Sequence, residues 1–266
     1  MRLSEVFAIK NLVVFLLLLQ CSIILSKTTK LRQNRNYKLK PSKHTNADIK
    51  KLVDSVKEMQ NSDNSTQKFI TLGDMVMSID EFNVRFTNKP QSKAYTGDKK
   101  WDEVIEDGRI KIQINVDEPS FVTYTDYTNE LLDKVMTDYK EKTAIDFVKC
   151  GSGRQPDCGS GGHKTWMILS ARPSNGLTGC SSYVGRWGDT TWRGTGGQGI
   201  SLGNGCLYMH TMIHEIMHAL GWTHEQNRPD RDDFVTIQWN NINPQMKANF
   251  KAEIHGKVFG TNYSEH

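Results

Sequence analysis

The spacing of three histidines constrains the fold of this chain more than any other feature. His218 follows His214 by four residues, and Gly221 separates this pair from His224. On a helix, residues i and i+4 share a face, so His214 and His218 project side by side, with Glu215 on the adjoining edge. Gly221 allows the backbone to leave the helix, and the turn can bring His224 to the same point. The segment therefore predicts a helix that opens at about residue 207 and stops at Gly221.

The residue types in this segment indicate a catalytic zinc site. Three neutral imidazole nitrogens hold a zinc ion and leave its fourth position for water. Zinc lowers the pKa of that water towards about 7, and Glu215 is placed to take its proton while the oxygen attacks a peptide carbonyl. Surface histidines on an ordinary helix are the alternative, which the complete His-Glu-x-x-His-x-x-Gly-x-x-His pattern disfavours. The pattern indicates hydrolysis of peptide bonds, with His214, His218 and His224 as ligands.

A fourth histidine, His210, lies four residues before His214 and could compete as a ligand on the same helical face. A third ligand one turn earlier on the same helix cannot converge on the ion as well as one from a reversed chain. We therefore expect His210 to lie on the helix surface or to support a ligand.

The N-terminal residues predict the compartment. Arg2 and Lys10 precede an apolar run over residues 12–19 that continues with polar interruptions to Leu25. This pattern is typical of a secretory signal peptide, here residues 1–26, and the run is far shorter than the ~20 residues of a membrane span. We therefore expect a secreted, extracellular protein without a membrane anchor. The net charge of +4 forms no basic block, so nucleic-acid binding is not expected.

Secretion changes the interpretation of the five cysteines. Cys21 is lost with the signal peptide, which leaves an even set in an oxidising compartment: Cys150, Cys158, Cys180 and Cys206. Of three possible pairings we favour Cys150 with Cys158, which closes a short Gly-rich loop, and Cys180 with Cys206, whose longer loop would stabilise by roughly 3 kcal/mol. Zinc binding by cysteines is the alternative, but no Cys-x-x-Cys pair is present.

The rest of the chain divides into a polar part and a patterned part. Residues 27 to about 93 are rich in Lys, Asn and Ser, which indicates a pro-segment or linker rather than a core, with a possible helix over Asn46 to Met59. From Trp101 the pattern changes, with strand candidates GRIKIQINV, AIDFV, WMILSA and GISLG and a helix candidate NELLDKVMTDYKEK. Strands and a helix before the histidine helix predict an α+β domain.

The residues that follow the third histidine carry a family resemblance. Glu225, Arg228 and the run Asp230-Arg231-Asp232 resemble the end of the active-site signature of the astacin family of zinc metalloendopeptidases. The resemblance extends upstream through EKTAIDF, CSSYVGRWG and SLGNGC, and covers about residues 94–263. It implies a zincin-like (metzincin) fold, in which a mixed twisted sheet and two long helices form an upper lobe. It also implies an endopeptidase with one Zn²⁺ per chain, acting on protein or peptide substrates through Glu215. No exposed interaction helix in the sequence argues for more than a monomer.

The resemblance reaches into the polar part, which it identifies as a pro-peptide over residues 27–93. LGD at Leu72 to Asp74 resembles the end of the family motif Phe-x-Gly-Asp, although Thr71 stands at the Phe position. In the family this aspartate ligates zinc and displaces the catalytic water, so Asp74 would hold the zymogen inactive; an ordinary Gly-Asp turn is the alternative. Cleavage after Lys93 would release a peptidase domain over residues 94–266 whose new terminus is expected to pair with Glu225. Lys99-Lys100 is the competing cleavage site.

Two departures from the family bear on activity. Ala144 stands where relatives usually carry a cysteine. Residues 260–263 resemble the approach to the family's Met-turn, but the methionine of that turn and the tyrosine that the resemblance implies near zinc do not follow in this sequence. The expectation is therefore a form with the lower lobe largely missing, and the alternative function is a catalytically inactive secreted relative that binds zinc or protein partners. The family's edge strand, which pairs with substrate, is expected at about Gly199 to Leu202. Asn64 and Asn262 lie in glycosylation sequons.

Overall fold

The computed structural model describes residues 57–60, 66–86, 101, 104–151, 155–172, 177, 179–187 and 197–253. The predicted signal peptide, both sequons (Asn64 and Asn262) and both candidate cleavage sites (Lys93 and Lys100) lie outside these residues. The predicted helix over Asn46 to Met59 is wrong at its C-terminal end, because residues 57–60 form a strand that pairs with a second strand.

Nine strands in the described residues form one mixed sheet. They are β1 (Lys57–Gln60), β2 (Thr66–Leu72), β3 (Met75–Ser78), β4 (Val104–Glu106), β5 (Arg109–Val116), β6 (Ile145–Lys149), β7 (Trp166–Ser170), β8 (Cys180–Tyr183) and β9 (Gly197–Leu202). The order is β1-β2-β3-β8-β9-β7-β5, and β5 also pairs with β4 and β6. The strands β6, β5, β7 and β9 are parallel, whereas β8 runs antiparallel to β9. The strand candidates of the sequence analysis are thus confirmed, and they are joined in a single sheet.

Four α-helices accompany the sheet in the described residues: α1 (Ile79–Phe86), α2 (Glu118–Phe121), α3 (Thr125–Lys142) and α4 (Met209–Ala219). Short 3-10 turns follow α4 at Glu225–Asn227, Arg231–Asp233, Trp239–Asn241 and Pro244–Phe250. None of the helices in these residues combines the length and apolar character that a membrane crossing requires. The predicted histidine helix corresponds to α4, and the predicted helix over residues 129–142 begins one turn earlier, at Thr125.

The main hydrophobic core holds α3 and α4 against the sheet. Leu132 and Val135 of α3 are fully buried, and so are Met212 and Ile216 of α4. The hydroxyl of Tyr139 donates to the backbone carbonyl of residue 213 at 3.3 Å, which links the two helices directly. Because α4 buries one face in this core, its opposite face is held in a fixed direction.

Residues 66–86 form a second core with the rest of the sheet. Six apolar side chains of β2, β3 and α1 surround Val184: Ile70, Leu72, Met75, Met77, Phe82 and Phe86. All are at most 1% exposed. The expectation that this region lacks a core is therefore wrong for residues 66–86. The polar average over residues 27–93 conceals a short segment in which apolar residues are dense enough to bury.

The sheet edge also differs from the sequence expectation. The strand β9, which contains the expected edge segment Gly199 to Leu202, lies between β7 and β8, and all its residues are buried. The strand β8 has β9 on one side and β3 on the other. Because β3 belongs to the polar N-terminal part, β8 is the edge strand of the sheet formed by residues from 101 onwards. The assignment of the edge to Gly199–Leu202 is thus corrected to Cys180–Tyr183.

Two disulfides are present, with the pairing that the sequence analysis favours. Cys150 bonds to Cys158, and Cys180 bonds to Cys206. The second bond ties the start of β8 to the loop that precedes α4. The edge strand and the histidine helix are therefore joined covalently as well as through the core.

Candidate metal centre and active site

The helix α4 and the turn after it bring three imidazoles together. His214 and His218 lie one turn apart, and their Nε2 atoms are 3.0 Å apart. Gly221 has φ +109°, which favours glycine, and its N–H donates to the carbonyl of His218 as the chain leaves the helix. His224 returns to place its Nε2 atom 3.4 Å from that of His214. The helix and the glycine turn produce the convergence for the reasons that the spacing suggested.

A carboxylate from the N-terminal part completes the group. Asp74 lies in the turn between β2 and β3, and its backbone carbonyl accepts a 2.9 Å hydrogen bond from the N–H of Ser182 in β8. Its carboxylate oxygens lie 3.1 Å from Nε2 of His214 and 3.0 Å from Nε2 of His224. The distance to Nε2 of His218 is 3.7 Å. The strand pairing thus holds the carboxylate against all three histidines.

The donor set fits a zinc ion. One atom from each of these four residues lies within 4.8 Å of the others. Tetrahedral zinc with bonds of ~2.0–2.1 Å requires its ligand atoms to be about 3.3 Å apart, and five of the separations fall between 3.0 and 3.7 Å. The Nδ1 atom of His218 lies 2.7 Å from the carbonyl of Trp222, which can only accept, so Nδ1 carries the proton. Nε2 of His218 therefore presents a lone pair, as metal binding requires.

The carboxyl groups around the histidines have different electrostatic environments. Burial would raise the pKa of Asp74, but hydrogen bonds with the three histidines hold that pKa below its ordinary value. Glu215 is 1% exposed, and burial, together with the nearby charge of Asp74, raises the pKa of Glu215 to about 9. A cation beside Glu215 acts in the opposite direction, because opposite charge favours the ionised form. The pKa of Glu215 therefore depends on the neighbouring charge: the carboxylate of Asp74 raises it, and a cation would lower it.

The third histidine is supported by a residue that sequence reasoning missed. Asn227 is fully buried, and its backbone N–H donates to the carbonyl of His224 at 2.9 Å. Its side-chain amide donates to the carbonyls of Asn249 at 2.9 Å and Lys251 at 2.7 Å. Asn227 therefore connects the ligand turn to the segment that ends the described chain. A single polar residue in a loop gives no periodic signal, so the sequence offered no means of finding it.

The other site candidates lie outside the histidine group. His210 is exposed and stacks on Tyr208, with ring centroids 5.5 Å apart, which agrees with its expected surface position. The carboxylate of Glu225 is 71% exposed and pairs with Arg228 at 2.7 Å. Arg228 also pairs with Asp230 at 2.8 Å. These ion pairs hold the loop that follows the third histidine.

A second contact joins the N-terminal part to this loop through buried charges. Arg85 of α1 lies 2.8 Å from Oε1 of Glu81 and 3.5 Å from Oε1 of Glu253. The same oxygen of Glu253 accepts a 2.7 Å hydrogen bond from the hydroxyl of Thr223, the residue before the ligand His224. Sequence reasoning missed this group as well, because Arg85 and Glu253 are 168 residues apart along the chain.

The chain matches a known family and is similar to several known proteins. The family model for Astacin, described as a peptidase family, matches residues 118–264. The chain is 32% identical over 192 residues to zinc metalloproteinase nas-15 of Caenorhabditis elegans, covering 67% of this chain and 28% of that protein. It is 31% identical over 193 residues to blastula protease 10 of Paracentrotus lividus, covering 71% of this chain and 29% of that protein. The chain thus spans less than a third of the length of these curated relatives.

A solved structure is also similar. High choriolytic enzyme 1, a hatching enzyme zinc-protease from Oryzias latipes, matches with a TM-score of 0.46 and 28% sequence identity. The match covers 60% of this chain and 68% of that chain.

Proposed function

Since this chain belongs to the astacin family of peptidases, we propose that it is a secreted zinc endopeptidase that is made as an inactive zymogen. The observation that carries the proposal is the convergence of His214, His218 and His224 beside the buried carboxyl of Glu215. A helix with unrelated surface histidines does not explain why a turn returns a third imidazole to within 3.4 Å of the first.

In this proposal the three histidines hold one zinc ion, and Glu215 moves the proton. When bound, zinc supplies Lewis-acid polarisation of the scissile carbonyl and acidifies the attacking water. Glu215 takes the proton from that water and delivers it to the leaving amine. The hydrogen bond from Nδ1 of His218 to the carbonyl of Trp222 orients one ligand ring. The substrate backbone is held as an added strand on β8.

Latency follows from Asp74 and the strands around it. The carboxylate of Asp74 occupies the side of the histidine group that a substrate and the attacking water need. The pairing of β3 with β8 covers the edge strand at the same time. Removal of the pro-peptide by cleavage after Lys93, or at the competing site Lys99-Lys100, would expose both. Cleavage after Lys93 would give the mature domain, residues 94–266, whose new N-terminus would pair with Glu225.

Secretion is supported by the N-terminal sequence and by the two disulfides, since disulfides persist in oxidising compartments. We further propose that the enzyme acts as a monomer on protein or peptide substrates, with one zinc ion per chain.

The test measures bound zinc and casein hydrolysis on the purified chain before and after trypsin treatment. We expect one zinc per chain, hydrolysis only after trypsin, and loss of hydrolysis with retained zinc in Glu215→Ala. His214→Ala should lose zinc, whereas His210→Ala, on the same helix but outside the ligand group, should keep both zinc and activity. Asp74→Ala should keep zinc and, because β3 still covers β8, should still need trypsin treatment for full hydrolysis.

Two outcomes would contradict the proposal. Stoichiometric zinc without hydrolysis by the trypsin-treated chain would support the catalytically inactive binding protein instead. Hydrolysis that persists in Glu215→Ala would remove the proposed role of that carboxyl.

A further inference from the structure

The pro-segment covers a patch of the peptidase domain whose character is apolar and aromatic. Phe69 of β2 and Val76 of β3 pack against Leu177, Tyr183 and Trp187. The exposure of these five residues ranges from 0% to 7%. The ring centroids of Tyr183 and Trp187 are 4.6 Å apart, so the two rings are in contact. We define Leu177, Tyr183 and Trp187 as the aromatic patch.

The aromatic patch is reached by the same strand that passes the metal centre. In the parallel pairing of β3 with β8, residue 75 lies opposite residue 182, and Val76 lies opposite Tyr183. The N–H of Ser182 donates to the carbonyl of Asp74 at 2.9 Å, and the N–H of Val184 donates to the carbonyl of Val76 at 2.8 Å. Val76 is thus two residues from Asp74, whose carboxylate faces the histidines. A chain paired with β8 meets both features in one extended run.

The alternation of a strand determines which side chain enters the patch. Val76 contacts the aromatic patch, whereas its neighbours Met75 and Met77 point to the other face and pack around Val184. A peptide that replaces β3 on this edge therefore directs one side chain into the patch. The side chains on either side of it point away.

The wall of the patch is fixed by residues outside the pro-segment. The side chain of Gln198 in β9 is buried, and its Oε1 atom accepts a 2.8 Å hydrogen bond from the N–H of Trp187. Its Nε2 atom donates to the carbonyl of Gly185 at 2.9 Å. These bonds hold the backbone that carries Trp187 against the sheet. Neither of these two hydrogen bonds involves an atom of β2 or β3.

We propose that the aromatic patch is a specificity subsite, which accepts a bulky apolar or aromatic side chain two residues from the scissile bond. This inference rests on the proposed endopeptidase function. After the pro-segment leaves, a substrate strand on β8 places a side chain where Val76 lies now. Apolar burial favours Phe or Leu over Ala at this position by about tenfold in kcat/KM. A charged side chain is disfavoured more strongly, because an apolar surface offers it no partner.

The direction of the substrate strand decides the side of the bond on which the preference appears. A strand parallel to β8, like β3, places the selected side chain on the C-terminal side. An antiparallel strand places it on the N-terminal side. A substrate profile therefore reports the direction together with the preference.

The first experiment measures kcat/KM of the trypsin-activated protein on a peptide series with Ala, Leu, Phe or Asp at each position around one cleaved bond. We expect a preference of about tenfold for Phe over Ala at one position two residues from the bond. Trp187→Ala should reduce that ratio to about twofold or less. Tyr124→Ala is the matched control, because this aromatic residue is 60% exposed and lies outside the patch.

The second experiment tests the patch without catalysis. A labelled peptide that copies residues 66–78 is titrated onto the activated Glu215→Ala protein. Replacing Val76 with Asp in the peptide should weaken binding by at least about tenfold. Trp187→Ala in the protein should weaken binding of the original peptide.

The outcomes distinguish failure of the proposed subsite from failure of the proposed endopeptidase function. Cleavage with the same Phe-to-Ala ratio in the protein and in Trp187→Ala overturns the subsite and leaves the endopeptidase. Peptide binding that ignores the Val76→Asp change also overturns the subsite. No cleavage of any peptide overturns the endopeptidase, and the subsite with it.

Discussion

Arg85 offers a direct test of how residues 66–86 are held against the rest of the sheet, because it is the cation of a buried charged group. Its guanidinium lies between Glu81 of the same helix and Glu253 of the C-terminal segment, and the three side chains are at most 4% exposed. Burial raises the pKa of Glu253, and the charge of Arg85 acts in the opposite direction. The perturbation is Arg85→Met, which keeps most of the apolar stem and removes the charge.

The expected loss of stability in Arg85→Met follows from the burial of all three charged side chains. Removing one partner of a buried ion pair costs about 3–5 kcal/mol, because the remaining charge loses its counter-ion and is shielded from water. In Arg85→Met two carboxyls remain, and one of them can avoid the cost by binding a proton. We therefore expect the free energy of unfolding to fall by about 3 kcal/mol at pH 7.5.

The loss of unfolding free energy in Arg85→Met should be smaller at low pH than at high pH. In Arg85→Met the folded pKa of Glu253 is raised further above its unfolded value of about 4.3, so the folded state binds more protons than the unfolded state. Stability is then greatest below the unfolded pKa and decreases as the pH rises towards the folded pKa. One additional bound proton corresponds to about 1.4 kcal/mol per pH unit. The variant should therefore be closer to the unmodified protein at pH 5.5 than at pH 7.5.

The assay is urea unfolding at both pH values, with limited proteolysis to report release of residues 66–86 from the sheet. Lys134→Met is the matched control: Lys134 also pairs with a glutamate at i,i+4 spacing, but the two side chains are 60% and 65% exposed. Solvent screens such a pair, so this variant should unfold like the unmodified protein. The reasoning is refuted if Arg85→Met is as stable as Lys134→Met at pH 7.5, or if its loss is larger at pH 5.5.

Three further predictions concern the sheet and its covalent links. Replacing both cysteines of Cys180–Cys206 by serine should lower the free energy of unfolding by about 3.5 kcal/mol, against about 2.5 kcal/mol for Cys150–Cys158, because the loops span 26 and 8 residues; denaturant unfolding in which the shorter loop costs more would contradict this order. Hydrogen bonds from two lysines hold the pKa of Asp146 below its ordinary value, so its contribution is present above pH ~4 and is lost as the pH falls through the lowered pKa. The melting temperature should therefore decrease less between pH 5 and pH 2 in Asp146→Asn than in the unmodified protein. The same decrease in both proteins would show that ionised Asp146 does not contribute to stability. Gly197→Ala should destabilise by about 1–3 kcal/mol, because the added Cβ would lie 2.7 Å from Nε1 of Trp166; an unchanged melting temperature would show that the neighbouring side chains move aside.

The sequence alone determined the local part of the site. The spacing of His214 and His218 indicated a helix with both rings on one face, and Gly221 indicated where the chain leaves that helix. From Arg109 onwards, the strands β5, β6, β7 and β9 could be found by their apolar patterns, whereas β8 was not predicted. The even number of cysteines that remain after Cys21 suggested the disulfides. The helix, turn and strand predictions depend on neighbours within a few residues, where backbone geometry fixes the direction of a side chain.

Only the tertiary structure decided which distant segments meet. Asp74 lies 140 residues before His214; only the resemblance of its motif to the family suggested a place beside the histidines, because a glycine-aspartate turn by itself does not reveal what it faces. The order of β8 and β9 is equally hidden, because both strands are short and buried and either could form an edge. The group of Arg85 and Glu253 is recognisable only when α1 is packed. These contacts arise when whole apolar surfaces are buried together, and the pattern along one segment does not specify its partner.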